Sequence, residues 1–174
     1  RRRFKVVTTD SNHDSPIAAN LLGRNFVAEK PDQVWLTDFT YLNTQDGVCY
    51  LCAVEDLCSR KIVGWAISKK IDAQLACKAM QQAIDLRSPQ AGLILHSDRG
   101  SQYASDTFRG LLDSNEIRQS MSRKGNCYDN APMESFFGRL KTECVHWQDF
   151  TSMENATRKV GEYISQFYNV TRRH

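Results

Sequence analysis

Val34-Trp-Leu-Thr-Asp-Phe-Thr-Tyr-Leu42 and Val48-Cys-Tyr-Leu-Cys-Ala-Val54 stand on either side of Gln45-Asp46-Gly47, and this pairing decides how the chain folds. Both runs are rich in β-branched and aromatic residues, which suit a pleated, half-buried surface. Asp-Gly is a hairpin signal, because glycine takes the positive φ that the turn requires. Lys61 to Ser68 reads as a third strand after a short turn near Cys58-Ser59-Arg60. Three strands with links this short predict an antiparallel meander.

Working outward, Asp72 is a plausible N-cap. Leu75, Ala76, Ala79, Met80, Ala83 and Ile84 follow it at helical spacing, so the pattern predicts an amphipathic helix over roughly 73–87, ended by Ser88-Pro89-Gln90. Gly92-Leu-Ile-Leu-His96 is a short continuous apolar run, as in a buried parallel strand. A helix near 104–115, a strand near 117–121 and a polar loop from Ser122 to Tyr128 come next. Asp129 or Asn130 can cap a helix that tolerates Pro132 in its first turn and carries Glu134, Phe137, Leu140 and Lys141. A last helix from Met153 places Ala156, Val160, Tyr163, Ile164 and Phe167 on one face. This order predicts an α/β fold: a mixed five-stranded sheet, its first three strands antiparallel, with helices on both faces. It is the element order of the ribonuclease H-like fold.

The 174 residues suit one domain, and 41% apolar with 25% charged residues is ordinary globular composition. No stretch approaches a membrane span, and no signal peptide is visible. A start at Arg1-Arg2-Arg3 without Met suggests a fragment of a longer polypeptide, with residues 1–30 as a basic N-terminal arm or linker and 31–174 as the core. Net charge is only +3, but its distribution is uneven. Residues 1–30 hold six Lys and Arg against three Asp and Glu, and residues 118–174 hold nine against six. Basic ends around a carboxylate-bearing centre suit a polyanion, and equally suit a solvated surface. Cys49-x-x-Cys52 has no second pair, and strand alternation points its two thiols to opposite faces. The six cysteines therefore read as free thiols of a reducing cytoplasm rather than a zinc site.

Three carboxylates break the pattern. Asp38 lies inside an apolar strand, on the face of Leu36 and Thr40, where a charge is costly to desolvate without a partner. An external cation or a hydrogen-bonded structural role would each explain it. Asp98 ends a buried strand, the edge from which catalytic groups of α/β folds project, and Gly100 lets the chain turn after it; a turn or capping role is the alternative. Glu134 shares a helix face with Lys141 two turns on. Together the three acids supply the oxygen ligands that Mg²⁺ favours, and two such ions can serve both oxygens of an in-line displacement. Arg99, Arg123, Lys124, Arg139 and Lys141 are candidate phosphate contacts. His96, two residues before Asp98, either reaches toward substrate or is structural. Tyr41 and Tyr103 read as packing or DNA-stacking residues, and Gly125-Asn126 as a candidate mobile loop.

The 35 residues between Asp98 and Glu134 resemble the DD(35)E spacing of retroviral integrases and their transposase relatives. The surrounding words are more specific. Trp35 to Tyr41, Ser59 to Trp65, His96 to Tyr103, Lys124 to Ser135 and Phe137 to Lys141 look like the second open reading frame product of transposases of the third insertion-sequence family. Tyr168-Asn169 and Arg172-Arg173-His174 match that family's tail, and the resemblance runs from about residue 20 to the end. It implies a transposase catalytic core with Asp38, Asp98 and Glu134 as its catalytic, metal-binding triad. It further implies Mg²⁺ as cofactor with Mn²⁺ able to substitute, transposon ends and target DNA as partners, and self-association in a synaptic complex in the cytoplasm. Lys141 corresponds to a basic residue thought to touch the transposon end. In that family a helix-turn-helix region that recognises the ends precedes the core. Two rival readings are a structure-selective ribonuclease H-like nuclease and an inactive DNA-binding or assembly module.

Overall fold

The computed structural model describes residues 15–123 and 130–172. Strands β1 (Val34–Thr44), β2 (Gly47–Asp56) and β3 (Ile62–Ser68) form the antiparallel meander, and Gly47 takes φ 121° at the β1–β2 turn. Helix α1 (Ala73–Arg87) crosses to β4 (Ile94–Ser97), and two short helices, α2 (Ser101–Ala104) and α3 (Asp106–Ser114), lead to β5 (Arg118–Met121). Helices α4 (Ala131–Glu143) and α5 (Met153–Glu162) follow. The sheet runs β3-β2-β1-β4-β5, with β1–β4 and β4–β5 parallel. This is the mixed five-stranded ribonuclease H-like architecture that the element order predicts.

Each face of the sheet buries its own core. Trp35, Phe39, Cys52 and Val54 pack with Leu75, Ala79, Met80 and Ala83 of α1 and with Phe108 and Leu112 of α3. Leu36, Leu42, Cys49, Leu51 and Ala53 pack with Met133, Phe136, Phe137 and Leu140 of α4 and with Ala156 and Val160 of α5. Cys49 and Cys52 thus lie on opposite faces, as strand alternation requires. Both are free and buried, whereas Cys58 is only half-buried; Cys127 lies outside the described residues.

Helix α1 matches its predicted span, because Asp72 accepts a hydrogen bond from Leu75 N at 2.9 Å and all six apolar positions are buried. The helix expected near 104–115 is instead divided. Ser105 has extended backbone (φ −66°, ψ 147°), and its hydroxyl caps α3 by accepting from Phe108 N, so no helix can run through it. The last helix also differs. After Glu162 it widens into a π-helical turn, Tyr163–Tyr168. The wider turn carries Tyr168 inward against Phe136, with centroids 4.9 Å apart, and leaves Phe167 41% exposed.

Both outer strands are met by other segments. Asn169 accepts from Ile62 N at 2.9 Å and donates to Ile62 O at 2.8 Å, along the free side of β3. Beside β5, Met121 N donates to Ala19 O, and Leu21 N donates to Ser120 Oγ. The described part of the N-terminal segment therefore lies on the body of the fold, with Leu22 in the core and Phe26 packed against it. Among the described residues no helix is long and apolar enough to cross a membrane.

Candidate active site

The parallel register of β1 and β4 creates the site. Val34, Trp35 and Leu36 pair with Ile94, Leu95 and His96, and the two strands part beyond that point. The same register continued would set Asp38 abreast of Asp98, so both aspartates stand where the strands open. Each carboxylate is steadied by nearby backbone: Asp38 Oδ1 accepts from Phe39 N at 2.7 Å, and Asp98 Oδ1 accepts from Gly100 N at 2.8 Å. Glu134 is exposed, one turn into α4.

Asp38 registers its neighbours. Burial raises its carboxyl well above the ordinary carboxylate range, the negative charge of Asp98 raises it further, and Glu134 adds a smaller push. The Phe39 amide and the Asn130 side chain oppose this only in part. No cationic side chain among the described residues pairs with Asp38. A set of hard, mutually repelling carboxylate oxygens suits a divalent cation such as Mg²⁺. Among the described residues, however, no three acidic, histidine or cysteine side chains are gathered closely enough to hold one ion between them. Asp38 and Asp98 form the fixed pair, and Glu134 approaches it from the helix.

The other candidates are distributed around this centre. Lys141 lies with its Nζ 4.9 Å from the Tyr41 ring centroid, a cation–π contact that holds the ammonium against half-buried Tyr41 of β1. Arg99 donates from Nε to Ser122 O at 2.7 Å, which ties the end of β4 to the end of β5. Arg139 is turned toward protein partners: its guanidinium bonds the Tyr168 hydroxyl and lies near Glu55 and Glu143. Arg123 is exposed, whereas Lys124 and the Gly125-Asn126 loop lie outside the described residues. His96 is buried, with its Nδ1 2.8 Å from Ser120 Oγ, which favours a structural role. Tyr103 is fully buried between Phe39 and Phe108, its hydroxyl 3.2 Å from Thr37 Oγ1, so it packs and has no face for DNA.

Sequence reasoning passed over Glu55 and Gln102, and read Asn130 only as a helix cap. Glu55, at the inner end of β2, is buried beside Arg60 and borders a cavity of about 420 Å³ shared with Arg139, Ser135 and Tyr168. Burial pushes its carboxyl up to about 7, with the two arginines opposing. Asn130 and Gln102 flank the two aspartates. No signal in the sequence marks these two, since Asn before a helix and Gln within one are commonplace.

The integrase core domain family matches over residues 28–127 and again over 134–174. The chain is 45% identical over its whole length to the insertion element IS600 uncharacterized 31 kDa protein of Shigella sonnei, of which it covers 64%. It is also 45% identical, over 99% of its length, to the transposase InsF for insertion sequence IS3A of Escherichia coli strain K12, of which it covers 60%. The chain thus spans about three-fifths of the length of these relatives. Its fold is similar to that of the HTLV-2 integrase catalytic core domain solved in complex with magnesium in a trimeric form, with TM-score 0.61 and 20% identity, covering 81% of this chain and 90% of that one.

Proposed function

The chain belongs to the integrase core domain family, and from that premise we propose that it is the catalytic core of an insertion-sequence transposase, cutting transposon DNA ends and joining them to new sites. The observation that carries the reading is the Asp38–Asp98 pair at the parting of β1 and β4, each raising the cost of the other's charge, with Glu134 adding to it. Asp38, Asp98 and Glu134 would hold Mg²⁺, with Mn²⁺ able to substitute, and the bound ions would supply Lewis-acid charge at the scissile phosphate.

The remaining chemistry falls to positioning. Water attacks the phosphodiester at a transposon end, the P–O bond to the flanking strand breaks, and a 3′-OH is freed. That hydroxyl then attacks a second phosphodiester in line, forming one P–O bond as another breaks. No protein–DNA covalent bond forms, so no Ser or Tyr nucleophile is required. Lys141 would leave the Tyr41 ring to meet the phosphate of the transposon end, with Arg123 and Lys124 as further contacts. Arg99 and Arg139, engaged with protein groups, would act more through shape than direct contact. The partners would be transposon ends, target DNA and further copies of the protein in a synaptic complex, in the cytoplasm.

A cleavage and joining assay on the element's own ends tests this. Asp38→Asn, Asp98→Asn and Glu134→Gln should each abolish cleavage while circular dichroism shows an unchanged fold; normal strand transfer by any of them overturns the assignment. A pre-cut end with a free 3′-OH should be joined, whereas hydrolysis without joining would point to a ribonuclease H-like nuclease. Lys141→Ala should weaken end binding at physiological salt without changing the melting temperature.

A further inference from the structure

A buried carbonyl oxygen without a donor bears its full desolvation cost, and folded proteins keep few of them. Asn130 Oδ1 and Gln102 Oε1 are two such oxygens, and their side chains neighbour Asp38 and Asp98 respectively. The amide end of Asn130 reaches the Asp38 carboxylate and lies 3.4 Å from Thr37 O, leaving Oδ1 with nothing to accept. Asn130 occupies the N-cap of α4, a place where Asn ordinarily accepts from a first-turn N–H, yet it makes no such bond. Its side chain is committed to β1 instead. Gln102 is placed through Gly100: a Cβ on that glycine would lie 2.7 Å from Gln102 Oε1 and 3.0 Å from Asp98 Oδ1. Gln102 Oε1 and Asp98 Oδ1 therefore lie on the same side of Gly100. The other two buried oxygens without partners, Gln148 Oε1 and Asn155 Oδ1, belong to the chain beyond α4.

No donor among the described residues reaches these oxygens, and once Asp38 and Asp98 hold a cation their carboxylates only accept hydrogen bonds. The missing donor has to arrive with whatever the acids attract. A divalent cation of the magnesium type keeps several waters, and their protons point outward.

We propose that Asn130 and Gln102 are positioning residues, whose amide oxygens accept hydrogen bonds from the hydration shell of a divalent cation held by Asp38 and Asp98. The inference rests on reading those acids as cation ligands. It gives Asn130 a double task. The residue begins the helix that carries Glu134 and also touches Asp38, so engaging its oxygen fixes the start of α4 against β1. Outer partners of this sort commonly change metal affinity by about 10–100-fold.

Calorimetric titration of the chain with Mn²⁺ alone, paired with thermal melts before and after the metal is added, tests the proposal. Gln102→Met keeps the side-chain length and removes an oxygen that has no partner. It should melt no lower than the parent without metal, yet bind Mn²⁺ at least about tenfold more weakly and gain less melting temperature from it. Asn130→Ala should show the same loss of affinity. Affinity within about threefold of the parent in Gln102→Met overturns the proposal for that residue, and the same result in Asn130→Ala overturns it for the other. Should Asn130→Ala fail to fold, Asn130→Ser replaces it under the same criterion. Asp38→Asn separates the two levels: Mn²⁺ binding lost there but intact in both amide variants sinks only the present inference, whereas binding retained in Asp38→Asn sinks the reading beneath it.

Discussion

Glu55 shows how one buried side chain can set the pH response of the domain. Its carboxyl is raised from 4.5 to about 7 by burial, against the pull of Arg60 at 3.4 Å and of Arg139. The folded protein therefore retains a proton that the unfolded chain releases between these two values. The associated stability is fully present below about pH 4.5 and is lost as pH rises through 7. Glu55→Gln should remove this slope and be more stable at pH 8 by up to about 3 kcal/mol, at 1.36 kcal/mol per pKa unit. Urea midpoints at pH 5 and pH 8 measure it, and an unaltered slope in the variant would reject the assignment. At this scale legibility was uneven. Asp38 and Asp98 were conspicuous because each interrupts or ends an apolar run. Glu55 was not, because strand β2 reads from sequence as ending at Val54, whereas pairing with Leu36 and Trp35 carries it through Asp56. Burial at a strand's end is decided by what packs over it, here Tyr168 and α4, and neither is a local property.

At the scale of elements, the closest approach is between β3 and α1. A Cβ at Gly64 would collide with the backbone oxygen of Ala79 and lie 2.7 Å from Ala83 N, so glycine there and alanines opposite let the helix settle directly on the strand. Gly64→Ala should cost about 3 kcal/mol, because the obstruction is backbone and cannot swing aside. Equilibrium urea unfolding checks this, and a loss near zero would mean that α1 can shift freely on the sheet. Helix α1 was legible at both ends, since its cap and its apolar spacing are local signals. The interruption at Ser105 was not, because a serine in a helical pattern is ordinary until its hydroxyl is seen capping the next helix. The π-helical turn was likewise hidden: spacing alone puts Phe167 inside, and only the seat that Phe136 offers brings Tyr168 there instead. The polar pair Asn130 and Gln102 belongs to this class, since their meaning arises from elements distant in sequence.

Across the whole molecule, two cores share the central strands β1 and β2. Neither face can lose its helices without exposing the back of the strands that support the other, so the domain should unfold in one step. Trp35 is buried on one face, and Trp65 is packed against the core of the other. With the 81% exposed Trp147 replaced by Phe, Trp35→Phe and Trp65→Phe leave one reporter per face. Within each variant the fluorescence and far-UV circular dichroism midpoints should coincide in urea, and separated midpoints would show that the faces come apart independently. The overall order of elements was readable from periodicity, as was the antiparallel start. The placement of β4 beside β1 was not, and it is this parallel register that brings Asp38 and Asp98 together from sixty residues apart.

The bonds from Asn169 to Ile62, and from Ala19 and Leu21 to β5, bear on how the protein can be handled. A shortened version beginning after Leu21 or stopping before Asn169 would keep all three acids, and so looks like a safe minimal enzyme. It would also strip the cover from an outer strand and present a row of unpaired amides and carbonyls to any neighbouring molecule. Such trimming should yield filaments or precipitate on concentration rather than a smaller working catalyst.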